Sequence, residues 1–254
     1  MATVSELWLD RTATLTRAAL VEGKKLVALE VDSAACSPRL GARYVAKVVR
    51  ALPLLGAVEV SLGKTTAFMK AKNLKAGDVV LAEWIAPPVG DKLAVVKRMA
   101  GEASGAPRLL QDGPEAVERL GADFPVHEDD FELIDLNSQI DALVERTVPL
   151  GTAGSLVFDR TEAAHVVDVN GTGKDLNQKA LVELARQLRL RNLGGVVLVD
   201  LAGDKRKLPK GLVEILREAV KKDPCKVEVY GITKLGLLEL TRERRGWELS
   251  RLLA

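Results

Sequence analysis

The chain has few of the residues that structural metal sites and disulfide-rich scaffolds need. Its 254 residues include two cysteines, Cys36 and Cys225, and two histidines, His127 and His165. Structural zinc is held by closely spaced pairs of such ligands, and none of these four residues forms a pair. A structural zinc site is therefore not predicted. Because the cysteines are also too few for a disulfide framework, we expect a reducing compartment.

The chain also lacks a long apolar run and a strong net charge. No apolar stretch approaches the ~18 residues of a membrane-spanning helix, and no signal peptide precedes the acidic segment SELWLD, so we expect a cytoplasmic protein without a membrane partner. The formal net charge is +2, which creates no global field for a polyanion. Any nucleic-acid surface must therefore come from local clusters of lysine and arginine.

The most informative stretch runs from Gly154 to Asp200. It predicts two short apolar strands around a turn, then an amphipathic helix, and then a third buried strand, VVLVD. Asp168 and Asp200 stand at the ends of two of these strands, which a helical crossover links. The two acids can therefore meet at one edge of a sheet and hold a hard divalent cation. Either acid alone would be better explained by helix capping or by solvation of a strand end.

The preceding part of the chain predicts a small barrel. Residues 38–98 contain about five short β-rich runs, which Pro53, Gly56 and Gly63 interrupt. Residues Thr12–Asp32 predict two strands around a turn at Glu22-Gly23.

The remaining segments predict mostly helices. GEASGAPR has the composition of a linker, and GPEAVERLGA and DLNSQIDALVERTV predict amphipathic helices. After Asp200, GLVEILREAVKKDP predicts a helix, KVEVYGIT a strand, and GLLELTRERR a closing helix.

Several of these blocks resemble the ribonuclease E/G family. GSLVFDRTEAAHVVDVN, ARQLRLRNLGG and VVLVDL are similar, in order and spacing, to blocks of the family's catalytic region. ITKLGLLELTRERR, from Ile232 to Arg245, is similar to a later signature, and YVAKVVRALP with LGKTTAF is similar to the family's inserted S1 domain. The resemblance implies a mixed α/β fold, with a DNase I-like and RNase H-like catalytic region and an inserted OB-type (S1) β-barrel.

The resemblance also divides the chain into four segments. Residues 1–35 would form an N-terminal hairpin of the RNase H-like part, and residues 36–98 the S1-like barrel. Residues 99–153 would supply a linker and helices of the RNase H-like part. Residues 154–254 would form the DNase I-like catalytic domain.

Site residues follow from the matched positions. Asp168, Asn170 and Asp200 would be catalytic, and Asp168 and Asp200 would bind Mg²⁺. Asn170, two residues beyond Asp168, points to the same side of an extended strand. Phe68 would stack on a base and Lys92 would contact phosphate, although a lone strand phenylalanine is more often part of a core. The other predicted RNA contacts are basic residues whose alternative role is ordinary solvation: Arg43, Lys47, Lys174, Arg189 and Arg191.

Four departures from the family modify this expectation. Glu59 stands where the family has a second stacking aromatic residue, and the loop GTGKDLNQK after Asn170 is shorter and has fewer arginines. No block resembles the family's 5′-monophosphate sensor. None resembles its zinc-linking motif either, so no zinc-linked dimer is expected, and the sequence does not decide whether the chain forms oligomers through other interfaces.

The sequence therefore predicts a Mg²⁺-dependent endoribonuclease that cleaves single-stranded RNA without sensing a 5′-monophosphate. Its products would carry a 5′-phosphate and a 3′-hydroxyl. The alternatives are a non-catalytic RNA-binding protein on the same scaffold and, less favoured, an adaptor in an RNA-processing complex.

Overall fold

Three β-sheets organise the protein. The computed structural model describes residues 5–121, 124–128, 131–204 and 208–254. Its strands are β1 (Ser5–Arg11), β2 (Leu15–Glu22), β3 (Lys25–Ser33), β4 (Arg43–Leu52), β5 (Ala57–Ser61), β6 (Thr66–Met69), β7 (Val79–Ala86), β8 (Ala94–Arg98), β9 (Arg108–Gln111), β10 (Val126–His127), β11 (Thr147–Pro149), β12 (Gly154–Arg160), β13 (Ala164–Gly171), β14 (Gly195–Asp200), β15 (Val227–Ile232) and β16 (Leu237–Arg242).

Five α-helices accompany these strands in the described ranges. They are α1 (Ala116–Leu120), α2 (Leu136–Asp141), α3 (Leu176–Leu190), α4 (Leu212–Ala219) and α5 (Leu249–Leu252). None of the helices in the part of the chain that the structure describes is both long enough and apolar enough to cross a bilayer.

The first sheet has the strand order β10-β1-β2-β3. The β2–β3 hairpin turns at Gly23, where φ is 65°, which confirms the turn predicted at Glu22-Gly23. Strand β1 was not predicted, although Leu7, Trp8 and Leu9 are buried in it. One face of the sheet packs against Phe131 and α2, and also against Leu190 at the end of α3. This sheet is therefore joined to the third sheet through a shared helix.

The second sheet is a closed five-stranded barrel, β4-β5-β6-β8-β7, in which β4 pairs with both β5 and β7. Strands β6 and β8 are parallel, and the other neighbouring strands of the barrel are antiparallel. Small and β-branched side chains fill its core together with Met69 and Trp84. The closed barrel agrees with the predicted OB-type fold. Strand β9 adds to the edge of β4, so residues beyond the predicted barrel boundary at 98 take part in this sheet.

The third sheet has the order β11-β12-β13-β14-β16-β15. Strands β13 and β14 are parallel, because the 15-residue helix α3 crosses between them. Helices α3 and α4 cover one face of the sheet, and their apolar side chains pack on Val167, Val169, Val197 and Val199. The protein is thus a mixed α/β fold with an inserted barrel. The DNase I-like and RNase H-like identities of its α/β parts stay predictions.

The helix predicted for GLLELTRERR was wrong, because this segment forms β16. Leu238 and Leu240 alternate into the core between the flanking strands. A period of two residues is the strand period, and pairing on both edges of β16 outweighs the weak intrinsic preference of these residues for helix. The helix predicted for DLNSQIDALVERTV is also shorter than expected: α2 ends at Asp141 and the segment continues into β11.

Candidate active site

Two acids lie side by side at one edge of the third sheet. Asp168 on β13 and Asp200 on β14 are direct partners in the parallel ladder. Neighbouring strands lie about 4.8 Å apart, and directly opposed side chains share a face. Both residues are half-buried. The crossover through α3 therefore brings together two carboxylates that are 32 positions apart in the chain.

The alternation of side chains sets the face on which these acids lie. Val167 and Val169 flank Asp168 and point into the core under α3, as does Val199 beside Asp200. The two acids must therefore point to the face of the sheet opposite to α3. This pattern can be read in the sequence, because each acid follows a buried valine.

Asn170 contacts Asp168 directly. Its Nδ2 donates a hydrogen bond of 2.9 Å to Oδ2 of Asp168, while Oδ1 of Asp168 makes no hydrogen bond within the described part of the chain. Asn170 is itself exposed. The amide thus orients one carboxylate and leaves that carboxylate an oxygen for another ligand.

A close approach of two glycines fixes the backbone of Asn170. A Cβ atom at Gly154 would lie 2.0 Å from the carbonyl oxygen of Asn170, and one at Gly171 would lie 2.2 Å from the carbonyl oxygen of Ala153. Both glycines also have positive φ, 155° and 136°. Only glycine fits these two positions, so β12 and β13 hold the strand end tightly.

A side chain on α3 fixes the chain beyond Asp200. Asn177 donates from Nδ2 to the carbonyl oxygen of Ala202 and accepts from the amide of Ala202 through Oδ1, both at 3.0 Å. The first turn of α3 is thereby tied to the end of β14. Sequence reasoning missed Asn177, whose only signal is a polar side chain near the start of a helix that follows the Asp168 strand.

The donor set at this edge fits Mg²⁺. Two carboxylates and an amide oxygen are hard ligands, and Mg²⁺ is commonly held by one or two carboxylates while it keeps several waters. The structure shows no group of three or more histidine, cysteine, aspartate or glutamate residues suited to a metal in residues 5–121, 124–128, 131–204 and 208–254. A closed site built for zinc or calcium from such residues is therefore not supported in those ranges.

Phe68 lies on the outer face of the barrel. Its strand neighbours Ala67 and Met69 are in the core, and Phe68 is half-buried and outside the core cluster. The alternative that Phe68 is a core residue therefore has little structural support. Its partners on the adjacent strands are Glu59 and Val95. Glu59 accepts a hydrogen bond of 2.6 Å from Arg50, so an ion pair lies beside the ring where the family has a second aromatic residue.

The predicted basic contacts of the barrel are accessible. Lys92 is exposed in the turn between β7 and β8, where its backbone pairs with Val89. Arg43 and Lys47 are exposed on β4. Lys174 is exposed in the short loop between Asn170 and α3.

Two other predicted RNA contacts are engaged inside the protein. Arg189 donates to the carbonyl oxygen of Val27 at 3.2 Å. Arg191 is only 7% exposed, donates to Gln187 at 2.6 Å, and lies 4.5 Å above the ring of Phe158. Burial lowers the pKa of Arg191 to about 10. The prediction that Arg191 contacts RNA conflicts with this burial, and Arg189 joins α3 to the first sheet.

Comparison with known proteins gives a family match. The model of the family described as "Ribonuclease E/G family" matches residues 111–245, more than half of the 254-residue chain. This range contains Asp168, Asn170 and Asp200 and excludes the five strands of the closed barrel.

Individual relatives match over a similar extent. "Ribonuclease G" of Salmonella typhimurium (strain SL1344) is 35% identical over 144 residues, which cover 52% of this chain and 29% of the relative. "Putative ribonuclease E" of Buchnera aphidicola subsp. Baizongia pistaciae is 34% identical over 134 residues, 48% of this chain and 33% of the relative. "Ribonuclease E" of Escherichia coli (strain K12) is 36% identical over 126 residues, 45% of this chain and 12% of the relative. The chain thus matches about a third or less of the length of these curated relatives.

Proposed function

The chain belongs to the ribonuclease E/G family, and we propose that it is a Mg²⁺-dependent endoribonuclease that cleaves single-stranded RNA. The observation that carries this proposal is the in-register pairing of Asp168 with Asp200, with Asn170 bonded to Asp168. The expected products carry a 5′-phosphate and a 3′-hydroxyl.

Asp168 and Asp200 would hold the cation at the open edge of the third sheet. Bound Mg²⁺ supplies a water of lowered pKa and neutralises charge that develops on the phosphate. Asn170 would keep the carboxylate of Asp168 in one orientation, and its exposed side chain would contact the scissile phosphate. The contacts at Gly154, Gly171 and Asn177 hold the strand ends, so the ligands are preorganised before substrate binds.

The barrel would hold the RNA strand. Phe68 offers an outward ring on which a base can stack, and Lys92, Arg43 and Lys47 offer contacts to phosphate that position RNA without reading its sequence. Lys174 would contact phosphate close to the catalytic edge. The ion pair of Glu59 replaces one stacking platform, so we expect weaker binding of single strands than a barrel with two aromatic residues would give.

We further propose that the enzyme does not sense a 5′-monophosphate. Residues 99–153 contain three arginines and no lysine. Arg119 is bonded to Glu30 and Asp32, Arg146 to Asp159, and Arg108 to two backbone carbonyls. Because all three guanidinium groups are engaged within the protein, this interval has no evident arginine pair for a terminal phosphate.

The competing proposal is a protein that binds RNA without cleaving it. The observation in its favour is the short loop of residues 171–175 between Asn170 and α3, which offers a single basic side chain beside the acids. Incubation of the protein with a labelled unstructured RNA, with Mg²⁺ or with EDTA, separates the two. Cleavage with Mg²⁺ alone supports the nuclease, and saturable binding without cleavage supports the binding protein.

A further inference from the structure

A cavity lies between the barrel and the far end of the third sheet. Its volume is about 240 Å³. The β7–β8 turn forms one wall and the segment 244–251 forms the other. Because β12 and β13 pair Arg160 with His165, this cavity lies at the end of β13 opposite to Asp168. His165 and Asp168 are three positions apart along the strand, or about 10 Å, so the cavity is not part of the catalytic edge.

Positive charge dominates the lining of this cavity, which we call the arginine cleft. The lining includes one glutamate, Glu248, and four arginines: Arg160, Arg244, Arg245 and Arg251. Glu248 is already engaged, since it accepts a hydrogen bond from Arg160 and lies 3.8 Å from Nε2 of His165. It cannot also neutralise the remaining three guanidinium groups.

The arginines of the cleft divide into two kinds. Arg160 and Arg244 have structural partners, because Arg160 bonds to Glu248 and Arg244 donates to the carbonyl oxygen of Pro87 at 2.6 Å. The side chains of Arg245 and Arg251 make no hydrogen bond or ion pair with any residue that the structure describes. Burial and the nearby charge of Arg160 lower the pKa of Arg244, although Glu248 opposes this effect. The cleft therefore holds more positive charge than its own residues satisfy.

We propose that the arginine cleft binds a phosphate group. Guanidinium groups present paired N–H donors that match phosphate oxygens, and they are less strongly hydrated than ammonium groups. The cavity is several times larger than the ~30 Å³ of one water, yet smaller than the ~300 Å³ at which pockets for whole small ligands begin. It therefore has room for a phosphate group.

The phosphate can come from an RNA backbone or from a free phosphate compound. The RNA source rests on the proposed function, and the turn that forms the wall supports it, because Gly90 lines the cleft and Lys92 follows two residues later. RNA bound by the barrel would then pass a second positive site before it reaches the sheet. The free source needs only the cleft itself.

The test removes the two arginines that have no structural partner. Arg245→Gln and Arg251→Gln are combined in one variant. The control variant combines Lys179→Gln and Arg217→Gln, two exposed positions on α3 and α4, on the covered side of the third sheet. Circular dichroism verifies that both variants keep the wild-type fold.

One arm of the test uses inorganic pyrophosphate in isothermal titration calorimetry. We expect saturable binding to the wild type and to the control, weakened by about tenfold or more in the arginine variant, since each hydrogen bond that is removed joins two charged groups. The second arm uses a short unstructured RNA at several salt concentrations. We expect the slope of log Kd against log salt to become shallower by about 0.7 for each phosphate that the protein no longer neutralises, again only in the arginine variant.

The outcomes decide both the cleft and its source. A selective loss in the pyrophosphate arm alone supports a free phosphate ligand, and a selective loss in the RNA arm supports the RNA backbone. Binding that is unchanged in both arms, or that falls equally in the control, overturns the proposal. Wild-type cleavage with Mg²⁺ and with EDTA is measured in parallel. Absence of cleavage together with a selective binding loss contradicts the proposed function and leaves the cleft supported.

Discussion

Replacing Asp168 by asparagine should distinguish two consequences of the paired acids: the repulsion between their charges, and their ability to bind a cation. The substitution keeps the size of the side chain and an oxygen that can accept the 2.9 Å hydrogen bond from Asn170. It removes one of two like charges on directly opposed positions. At about 5 Å, two unit charges repel by ~0.8 kcal/mol in a water-like dielectric, and opposed cross-strand pairs contribute ~0.2–1 kcal/mol. Because both acids are half-exposed, we expect the free energy of unfolding in EDTA to rise by at most about 1 kcal/mol.

Mg²⁺ should reverse the order of stability. In EDTA the variant should be the more stable protein, and in saturating MgCl₂ the wild type should be. A ligand at a hundred times its Kd stabilises the state that binds it by ~2.7 kcal/mol. Asp168→Asn removes a ligand, so the wild type should gain much more from saturating MgCl₂ than the variant. Urea denaturation with EDTA and with MgCl₂ measures all four values. Cleavage of a labelled RNA should fall by about 10²–10³-fold, as for the loss of one group that stabilises transition-state charge.

A matched control is Asp159→Asn, the same substitution on β12. Asp159 is exposed and bonded to Arg146, away from the paired acids, so the variant should keep the wild-type response to Mg²⁺ and the wild-type cleavage rate. If Asp168→Asn retains the full stabilisation by Mg²⁺, or cleaves RNA at the wild-type rate, the assignment of the cation site is refuted.

Four further outcomes test the barrel, the specificity and the packing. Phe68→Leu keeps an apolar side chain on the outer face but should weaken RNA binding by about 1–3 kcal/mol in fluorescence anisotropy, and unchanged affinity of the folded protein would rule out stacking. Lys92→Gln should make the slope of log Kd for RNA against log salt concentration shallower by about 0.7, whereas an unchanged slope would show that Lys92 does not contact phosphate. RNAs with a 5′-hydroxyl, a 5′-monophosphate or a 5′-triphosphate should be cleaved within tenfold, ~1.4 kcal/mol, of one another below saturation, and a larger preference for the monophosphate would reveal an end sensor. Burial lowers the pKa of His165 below its usual value of 6.5, and the charge of Arg160 adds to this effect while Glu248 opposes it. The neutral ring thus contributes stability above pH 6.5, and this stability is lost on acidification. Urea titrations should therefore show a smaller acid-induced loss of unfolding free energy in His165→Gln than in the wild type. Equal losses would contradict the lowered pKa of His165.

The geometry of the paired acids was predictable because short-range rules determine it. Alternation along a buried strand sets the face of Asp168 and Asp200, and a tight helical crossover makes their strands parallel and adjacent. The register that places them directly opposite was not predictable. It is set by the pairing of β13 with β14 and by Asn177, which ties the first turn of α3 to the end of β14, and neither contact can be read from the sequence.

The positions of Arg189 and Arg191 in the structure could not be predicted from the sequence. Arg189 and Arg191 lie in a block that matches the family, and their charge indicated RNA. Helix α3 has a second buried side, however, because its end packs on the first sheet through Leu190. Guanidinium groups there bond to backbone carbonyls such as that of Val27. The spacing of apolar residues in the sequence shows which face of a helix is apolar. It does not show that a second sheet also covers a polar face of that helix.

The helix predicted for the segment that forms β16 was wrong for a related reason. Its apolar residues satisfy a helical period and a strand period over the short distance available, so the periodicity favours neither, and the helix was predicted from a weak intrinsic preference. The choice is made by β14 and β15, which offer two edges to pair with. The insertion of an antiparallel strand beside a parallel pair is a property of the whole sheet, and no local propensity encodes it.

The arrangement of charge also bears on whether the protein cleaves RNA or only binds it. A surface that binds a polyanion gains from positive charge, and two carboxylates on opposed positions repel both each other and the phosphates. Here Gly154 and Gly171, which tolerate no side chain, hold β13 against β12, and Asn177 ties the end of β14 to α3 with a hydrogen bond of 3.0 Å. A rigid frame around mutually repelling acids has a physical use when a cation lies between them and the substrate, since the cation reverses both repulsions.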